Sequence, residues 1–162
     1  MGDRTWLRLE FSPHDLDKFN EVLKDEICED GGTWWDECDD LGGDGKPMSV
    51  QVYEADYGWY NEMAWLKNAL LTFRMFHGAG GGYGSGTAAC YMGEMVEMDT
   101  NHEDQPVVIV DKRGPDVVQV QLAREYFELS EKIDLYFKDD FRSHVMRAVE
   151  DKNATKLQGS AE

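Results

Sequence analysis

Alternation of apolar and polar side chains is the feature of this sequence that most limits its fold. In the segment from Thr5 to Phe11, Leu7, Leu9 and Phe11 point to one side and the charged residues between them to the other. That period of two predicts a β-strand with one buried face. Apolar patterns at residues 48–53, 71–76, 89–98 and 105–111 predict four more strands, the last of them buried.

Apolar residues at helical spacing lie between and after these strands. We predict a helix from Ser12 to about Cys28, a short helix over residues 61–69, and a long helix that begins at Pro115-Asp116, with a last helical stretch around residues 141–148. The order β-α-β-α-β-β-β-α predicts an α+β fold, with one mainly antiparallel sheet and helices packed on one face. Residues 1–150 would form a single domain and residues 151–162 a flexible C-terminal tail.

The charge of the chain restricts its partners. Thirty-three acidic residues against sixteen lysines and arginines give a net charge of −17. A field of this sign repels nucleic acid and anionic membranes and attracts basic surfaces, many of which are nucleic-acid-binding grooves. We therefore expect no direct binding of nucleic acid and no association with membranes.

The cysteines indicate a reducing compartment. Cys28, Cys38 and Cys90 are odd in number and form no CxxC pair, so we expect no disulfide framework and a cytoplasmic location. No apolar run approaches the ~20 residues of a membrane span. The four histidines form no metal-ligand motif, and we expect neither a metal nor another cofactor.

Acidic residues are concentrated between Ser12 and Lys46, where twelve carboxylates face three lysines. One interpretation is a solvated face; the other is an acidic docking surface that imitates a row of phosphates. Leu41 and Pro47 replace the glycine and glutamate of an EF-hand, which argues against calcium. The docking interpretation predicts these partner-binding residues: Glu26, Glu29, Asp30, Trp34, Trp35, Asp36, Glu37, Asp39, Asp40 and Asp44.

Two tryptophans lie within this acidic stretch, in what the sequence predicts to be a long loop. Trp34 or Trp35 could be an exposed anchor, since tryptophan is enriched in binding hot spots. Alternatively, at least one of them folds back over the sheet. For Trp59, just before the second helix, core packing is the prediction.

A glycine-rich segment from Gly78 to Gly86 does not fit a phosphate-binding loop. It has neither a Gly-Lys-Ser/Thr ending nor a GxGxxG register, and the next element is a predicted strand rather than a helix. A hairpin loop is the prediction. An enzyme site near this loop, with Cys90 or His77, is an alternative that no motif supports.

Residues 54–63, Glu-Ala-Asp-Tyr-Gly-Trp-Tyr-Asn-Glu-Met, together with His77-Gly78-Ala79-Gly80-Gly81, resemble a module of small acidic phage and plasmid accessory proteins. The resemblance covers about thirty residues and carries over no site residue. It implies a setting in which such proteins act against host restriction or CRISPR machinery.

The function that these observations favour is a non-catalytic acidic protein that inhibits a basic nucleic-acid-binding protein or complex, of the anti-restriction or anti-CRISPR type. An immunity protein that neutralises a basic nuclease toxin is the first alternative. A small enzyme with a site near residues 78–86 is the second, and an oligomerising accessory protein that uses the long C-terminal helix is the third.

Overall fold

A computed structural model describes residues 4–26 and 32–138 of the chain. Glu29, Asp30, Cys28, the helical stretch predicted around residues 141–148 and the predicted tail lie outside the described residues. In the described part, no helix is both long enough and apolar enough to cross a membrane.

Six strands form one antiparallel sheet in the order β2-β3-β1-β4-β5-β6. The strands are β1 Arg4–Phe11, β2 Glu37–Asp40, β3 Met48–Asp56, β4 Phe73–His77, β5 Gly86–Tyr91 and β6 Glu94–Asp99. The helices are α1 Leu16–Val22, α2 Tyr60–Asn68 and α3 Val117–Phe137, and a small hairpin pairs β7 Val110–Asp111 with β8 Gly114–Pro115. The predicted α+β class and mainly antiparallel sheet are confirmed.

The main core lies on the face of the sheet that α1 and α2 cover. Leu7, Leu9 and Phe11 of β1 are fully buried there, as the alternation in sequence predicts. Phe19 of α1 stacks on Phe11 with ring centroids 4.3 Å apart, and Leu66 of α2 is also fully buried. This apolar layer fixes the register of β1 between β3 and β4.

The opposite face carries a second, smaller core. Ala89 of β5, with Val96 and Met98 of β6, packs against Leu129 and Ile133 of α3. Neighbouring residues of one strand point to opposite faces, and Ala88 and Cys90 belong to the first core. The helices therefore lie on both faces of the sheet, whereas the sequence pattern placed them on one.

The segment predicted as a single strand at residues 89–98 is a hairpin. Met92 (φ 49°) and Gly93 (φ 85°) form a two-residue turn between β5 and β6. Such turns are usually marked by Asn-Gly or Asp-Gly, and methionine gives no such signal.

The strand predicted at residues 105–111 is wrong over most of its length and is not buried. Only Val110 and Asp111 pair as a strand, and Ile109 and Val110 are largely exposed. Pro106 has no backbone N–H, so it cannot supply a donor beside β6. The apolar run predicted a buried strand, whereas the side chains of Val107, Ile109 and Val110 are exposed.

The first helix is shorter than predicted. A 3₁₀ turn at Pro13–Asp15 precedes α1, and a second at Lys24–Glu26 follows it. Ser12 makes no side-chain capping bond, whereas Asp116 caps α3 by accepting from the backbone N–H groups of Val118 and Gln119.

Candidate partner-binding surface

The acidic stretch that the sequence assigned to a loop contains an edge strand. β2 pairs with β3 along one side only, so its other side has no strand neighbour in the described part of the sheet. Cys38 packs against the main core, and the flanking carboxylates point outward. Charged residues on an edge strand also discourage unwanted pairing with other chains, which is the structural role they would have without any partner.

The exposed carboxylates of this strand form what we call the acidic edge: Glu37, Asp39 and Asp40 of β2, with Asp44 in the turn that follows. Asp44 has φ 53°, in a turn closed by a bridge between Gly43 and Lys46. Asp36 comes directly before β2 and continues the acidic edge toward the tryptophan pair.

Neutral donors hold the carboxylates of Glu37, Asp39 and Asp40 in place. The Asp39 carboxylate accepts from the Gln51 side chain at 2.9 and 3.0 Å, and that of Asp40 accepts from the backbone N–H of Gly42 at 2.9 Å. The Tyr53 hydroxyl donates to Glu37. Because the donors are uncharged, the carboxylates are ordered without being neutralised.

No lysine or arginine within residues 4–26 and 32–138 forms an ion pair with the acidic edge or with Asp36. The negative potential acts on neighbouring groups. The pKa of Tyr53 is raised because its hydroxyl donates to Glu37, and further by desolvation and by the charges of Glu37, Asp39 and Asp36. Burial raises the pKa of Cys38, and the charges of Asp39 and Asp40 raise it further.

Four carboxylates lie within five consecutive residues of this segment, those of Asp36, Glu37, Asp39 and Asp40. Side chains of an extended chain alternate between its two sides, and the pairing of β2 with β3 is irregular between Cys38 and Asp40. The negative charges are therefore concentrated at this edge of the sheet.

The two tryptophans of the acidic stretch have different positions. Trp34 is 4% exposed, packs against Phe11 and donates its indole N–H to Asn20 at 2.8 Å, so it is part of the core and not an exposed anchor. Trp35 is partly exposed and meets Trp34 edge to face, with ring centroids 4.7 Å apart. Trp59 is buried, as predicted.

A cavity of about 270 Å³ lies beside this pair, and we call it the tryptophan cavity. Trp34, Trp35 and Trp59 contribute its aromatic lining, and five carboxylates contribute to the rest of its wall: Glu26, Asp36, Glu54, Asp56 and Glu62. Of the predicted partner-binding residues, four meet here. Glu54, Asp56, Trp59 and Glu62 were not predicted for the site, because no sequence signal shows that the end of β3 and the start of α2 reach this loop.

Two arginines of the sheet, Arg8 and Arg74, pair with carboxylates outside the acidic edge. On the face that carries α3, Arg74 contacts Glu10 at 3.2 Å and Asp134 at 2.8 Å, and Arg8 contacts Asp104 at 3.5 Å. We call these five residues the paired network. Gln51 of β3 pairs with both Arg8 of β1 and Glu37 of β2, so at this position an uncharged residue separates the network from the acidic edge.

The geometry does not assemble the catalytic pair considered from sequence. Cys90 pairs with Phe73 and His77 with Gly86, at opposite ends of the β4–β5 ladder and therefore roughly 13 Å apart along the strands. Cys90 is fully buried, and burial raises its pKa to about 11, which disfavours the reactive thiolate. Of these two residues, only His77 lines a second cavity, which has a volume of about 300 Å³.

Among the described residues, no group of three or more His, Cys, Asp or Glu side chains is arranged to hold a metal ion. No protein family, curated protein or solved structure matches the chain.

Proposed function

We propose that this protein binds, through the acidic edge, the basic nucleic-acid groove of another protein and thereby competes with DNA or RNA for that groove. The observation that carries the proposal is that Glu37, Asp39 and Asp40 of the edge accept hydrogen bonds from neutral donors and, among the described residues, have no cationic partner. A surface of this kind keeps its full charge available to lysines and arginines of a partner.

Long-range attraction supports the same proposal. A net charge of −17 speeds the encounter with a basic surface and makes the affinity depend on salt. At physiological ionic strength charges are screened beyond about 8 Å. The net charge therefore attracts a basic partner over the last part of its approach, and the acidic edge supplies the contacts of the bound complex.

The experiment is capture of basic nucleic-acid-binding proteins from a bacterial lysate on the immobilised chain, followed by displacement of each captured protein with duplex DNA, RNA or salt. The test variant is E37Q/D39N/D40N, whose amides keep an acceptor oxygen for the neutral donors. The matched control is E103Q/E128Q/E131Q, which removes three exposed carboxylates elsewhere and has the same net charge.

We expect one captured complex to be displaced by nucleic acid, and the test variant to weaken its capture about tenfold or more while the control changes it little. A tenfold loss corresponds to about 1.4 kcal/mol, or roughly 0.5 kcal/mol per removed carboxylate. If both variants weakened capture equally, net charge alone would explain the loss, and a role for the acidic edge would be contradicted.

A further inference from the structure

We propose that the tryptophan cavity is a docking site for one lysine or arginine side chain of a protein partner. This inference rests on the proposed function and deepens it, because it assigns a specific pocket beside the acidic edge to the basic partner. Charge complementarity and the chemistry of the cavity wall select a cation, and the size of the cavity selects a single side chain.

The aromatic lining is the first part of the argument. Trp34 lies between Trp35, at 4.7 Å between ring centroids, and Trp59, at 5.7 Å. Indole rings are the best aromatic partners of ammonium and guanidinium groups, and their apolar surface also accommodates a hydrocarbon stem. Trp35 offers most of the accessible ring surface, since Trp34 and Trp59 are 4% and 3% exposed.

An unusual backbone brings Trp59 to the cavity. Tyr57, Gly58 and Trp59 have φ values of 48°, 63° and 63°, all in the left-handed region. That region is unfavourable for a residue with a side chain. The turn leads directly from β3 into α2, and the indole of Trp59 is buried against Trp34.

The carboxylates are the second part. Arg4 pairs with Glu54 at 2.5 Å and with Asp56 at 3.3 Å. Glu26, Asp36 and Glu62 form no ion pair with a described residue, so the wall keeps an excess of negative charge. The pKa of Glu62 is raised by desolvation, and further by the charges of Glu26 and Asp56. A bound cation would relieve that repulsion.

The volume favours a side chain over a larger ligand. Pockets for drug-sized molecules occupy ~300–1,000 Å³, and the tryptophan cavity, at about 270 Å³, lies at the lower end of that range. Its wall is too acidic for a phosphate or a carboxylate. An alkylammonium or guanidinium group on an apolar stem satisfies both limits.

The test uses nuclear magnetic resonance of the five indole N–H groups during titration with Nα-acetyl-lysine methylamide or its arginine counterpart. The Nε-acetylated lysine compound, which has no charge, is the matched control. Trp6 and Trp65 do not line the cavity and serve as internal controls. We expect saturable shifts at Trp34 and Trp35, at least about tenfold weaker binding of the acetylated compound, and little change at Trp6 and Trp65. Equal shifts at all five indoles, or equal binding of the neutral compound, would overturn the proposal.

Two variants locate the interaction. E62Q removes one carboxylate of the wall with little change in shape, and we expect it to weaken binding of the lysine compound about two- to fivefold. W35L removes the accessible ring and should abolish the saturable shift at Trp34, with the remaining spectrum as a check of folding. Unchanged binding in both variants contradicts the assignment. Tighter binding of free spermidine than of either amino-acid compound would assign the cavity to a small molecule and overturn the docking role.

The failure of this inference can be distinguished from failure of the proposed function. E37Q/D39N/D40N leaves the wall of the cavity intact and should leave the indole shifts unchanged while it weakens capture of the partner. If the indoles do not respond but capture still depends on the acidic edge, only the cavity assignment is wrong. If the indoles respond and capture is insensitive to the edge, the cavity stands and the competition with nucleic acid does not.

Discussion

Carboxylates on one face of this sheet occur in two different settings. In the paired network, Glu10 contacts both Arg8 and Arg74, and Asp134 of α3 contacts Arg74 as well. On the acidic edge, amide, hydroxyl and backbone donors take the place of those arginines. The first arrangement uses charge to join a helix to the sheet, whereas the second orders charge and leaves it available to another molecule.

The separation of the two settings is a consequence of sheet order. β2 and β1 are both neighbours of β3, so the acidic edge lies about 10 Å from Arg8, at ~4.8 Å per strand. That distance is comparable with the screening length in physiological salt. The arginines of the network therefore do little to neutralise the edge, and the comparison predicts different responses to mutation.

The largest expected effect is on the network. Arg74→Met leaves Glu10 and Asp134 without their principal cation, and we expect a loss of roughly 2–3 kcal/mol in the free energy of unfolding. This is less than for a fully buried pair, because Asp134 is 55% exposed. Denaturant unfolding measures this loss. The control is Arg113→Met, which breaks the exposed Arg113–Asp111 pair and should change the free energy of unfolding by no more than ~0.5 kcal/mol. Similar losses in the two variants would remove the distinction.

The next effect concerns the local potential at Cys38. The measured quantity is the rate at which Cys38 reacts with an anionic disulfide reagent divided by its rate with a cationic one, in a Cys28→Ser background. We expect this ratio to be at least about fivefold lower with the acidic edge intact than in E37Q/D39N/D40N. The ratio of the two rates cancels the change in the pKa of the thiol. Stopped-flow absorbance measures both rates, and E103Q/E128Q/E131Q is the control. A ratio that does not respond to the edge would mean that its charge is already neutralised.

A smaller effect is expected when the acidic edge is mutated and the free energy of unfolding is measured. E37Q/D39N/D40N should change the free energy of unfolding by no more than ~0.5 kcal/mol, with a slight gain at low salt that disappears at high salt. The reason is that its carboxylates repel one another and form no ion pair with a described residue. A loss above ~1 kcal/mol would show that the acidic edge stabilises the fold as the network does.

The smallest expected effect is at Glu62. Its raised pKa means that the folded state holds the proton more tightly than the unfolded chain, so this group favours folding below its unfolded pKa of about 4.3 and loses that contribution as pH rises through the folded value. Glu62→Gln should therefore be slightly more stable than the parent at pH 7, and the difference should vanish near pH 4. Thermal melts at the two pH values measure it. A stability gain that persists at pH 4 would contradict the linkage.

Local pattern predicted most elements of the fold but not their layers. The alternation at Leu7, Leu9 and Phe11 identified β1 because each of those side chains is buried on one face. By contrast, Ala88, Ala89 and Cys90 are all buried, on alternating faces, so no alternation in sequence indicates that α3 covers the other side. A central strand that is buried on both faces loses the signal that an exposed face supplies.

The sequence by itself determined the charge of this protein, its α+β class and the residues of the acidic stretch, because these depend on composition and on local periodicity. Only the tertiary structure decided that Trp34 is a core residue, that β2 is an edge strand, and that Trp35, Trp59 and Glu62 line one cavity. Those facts depend on strand order, which brings together residues up to 36 positions apart between Glu26 and Glu62. Local sequence cannot encode such a meeting, since it results from packing the whole sheet.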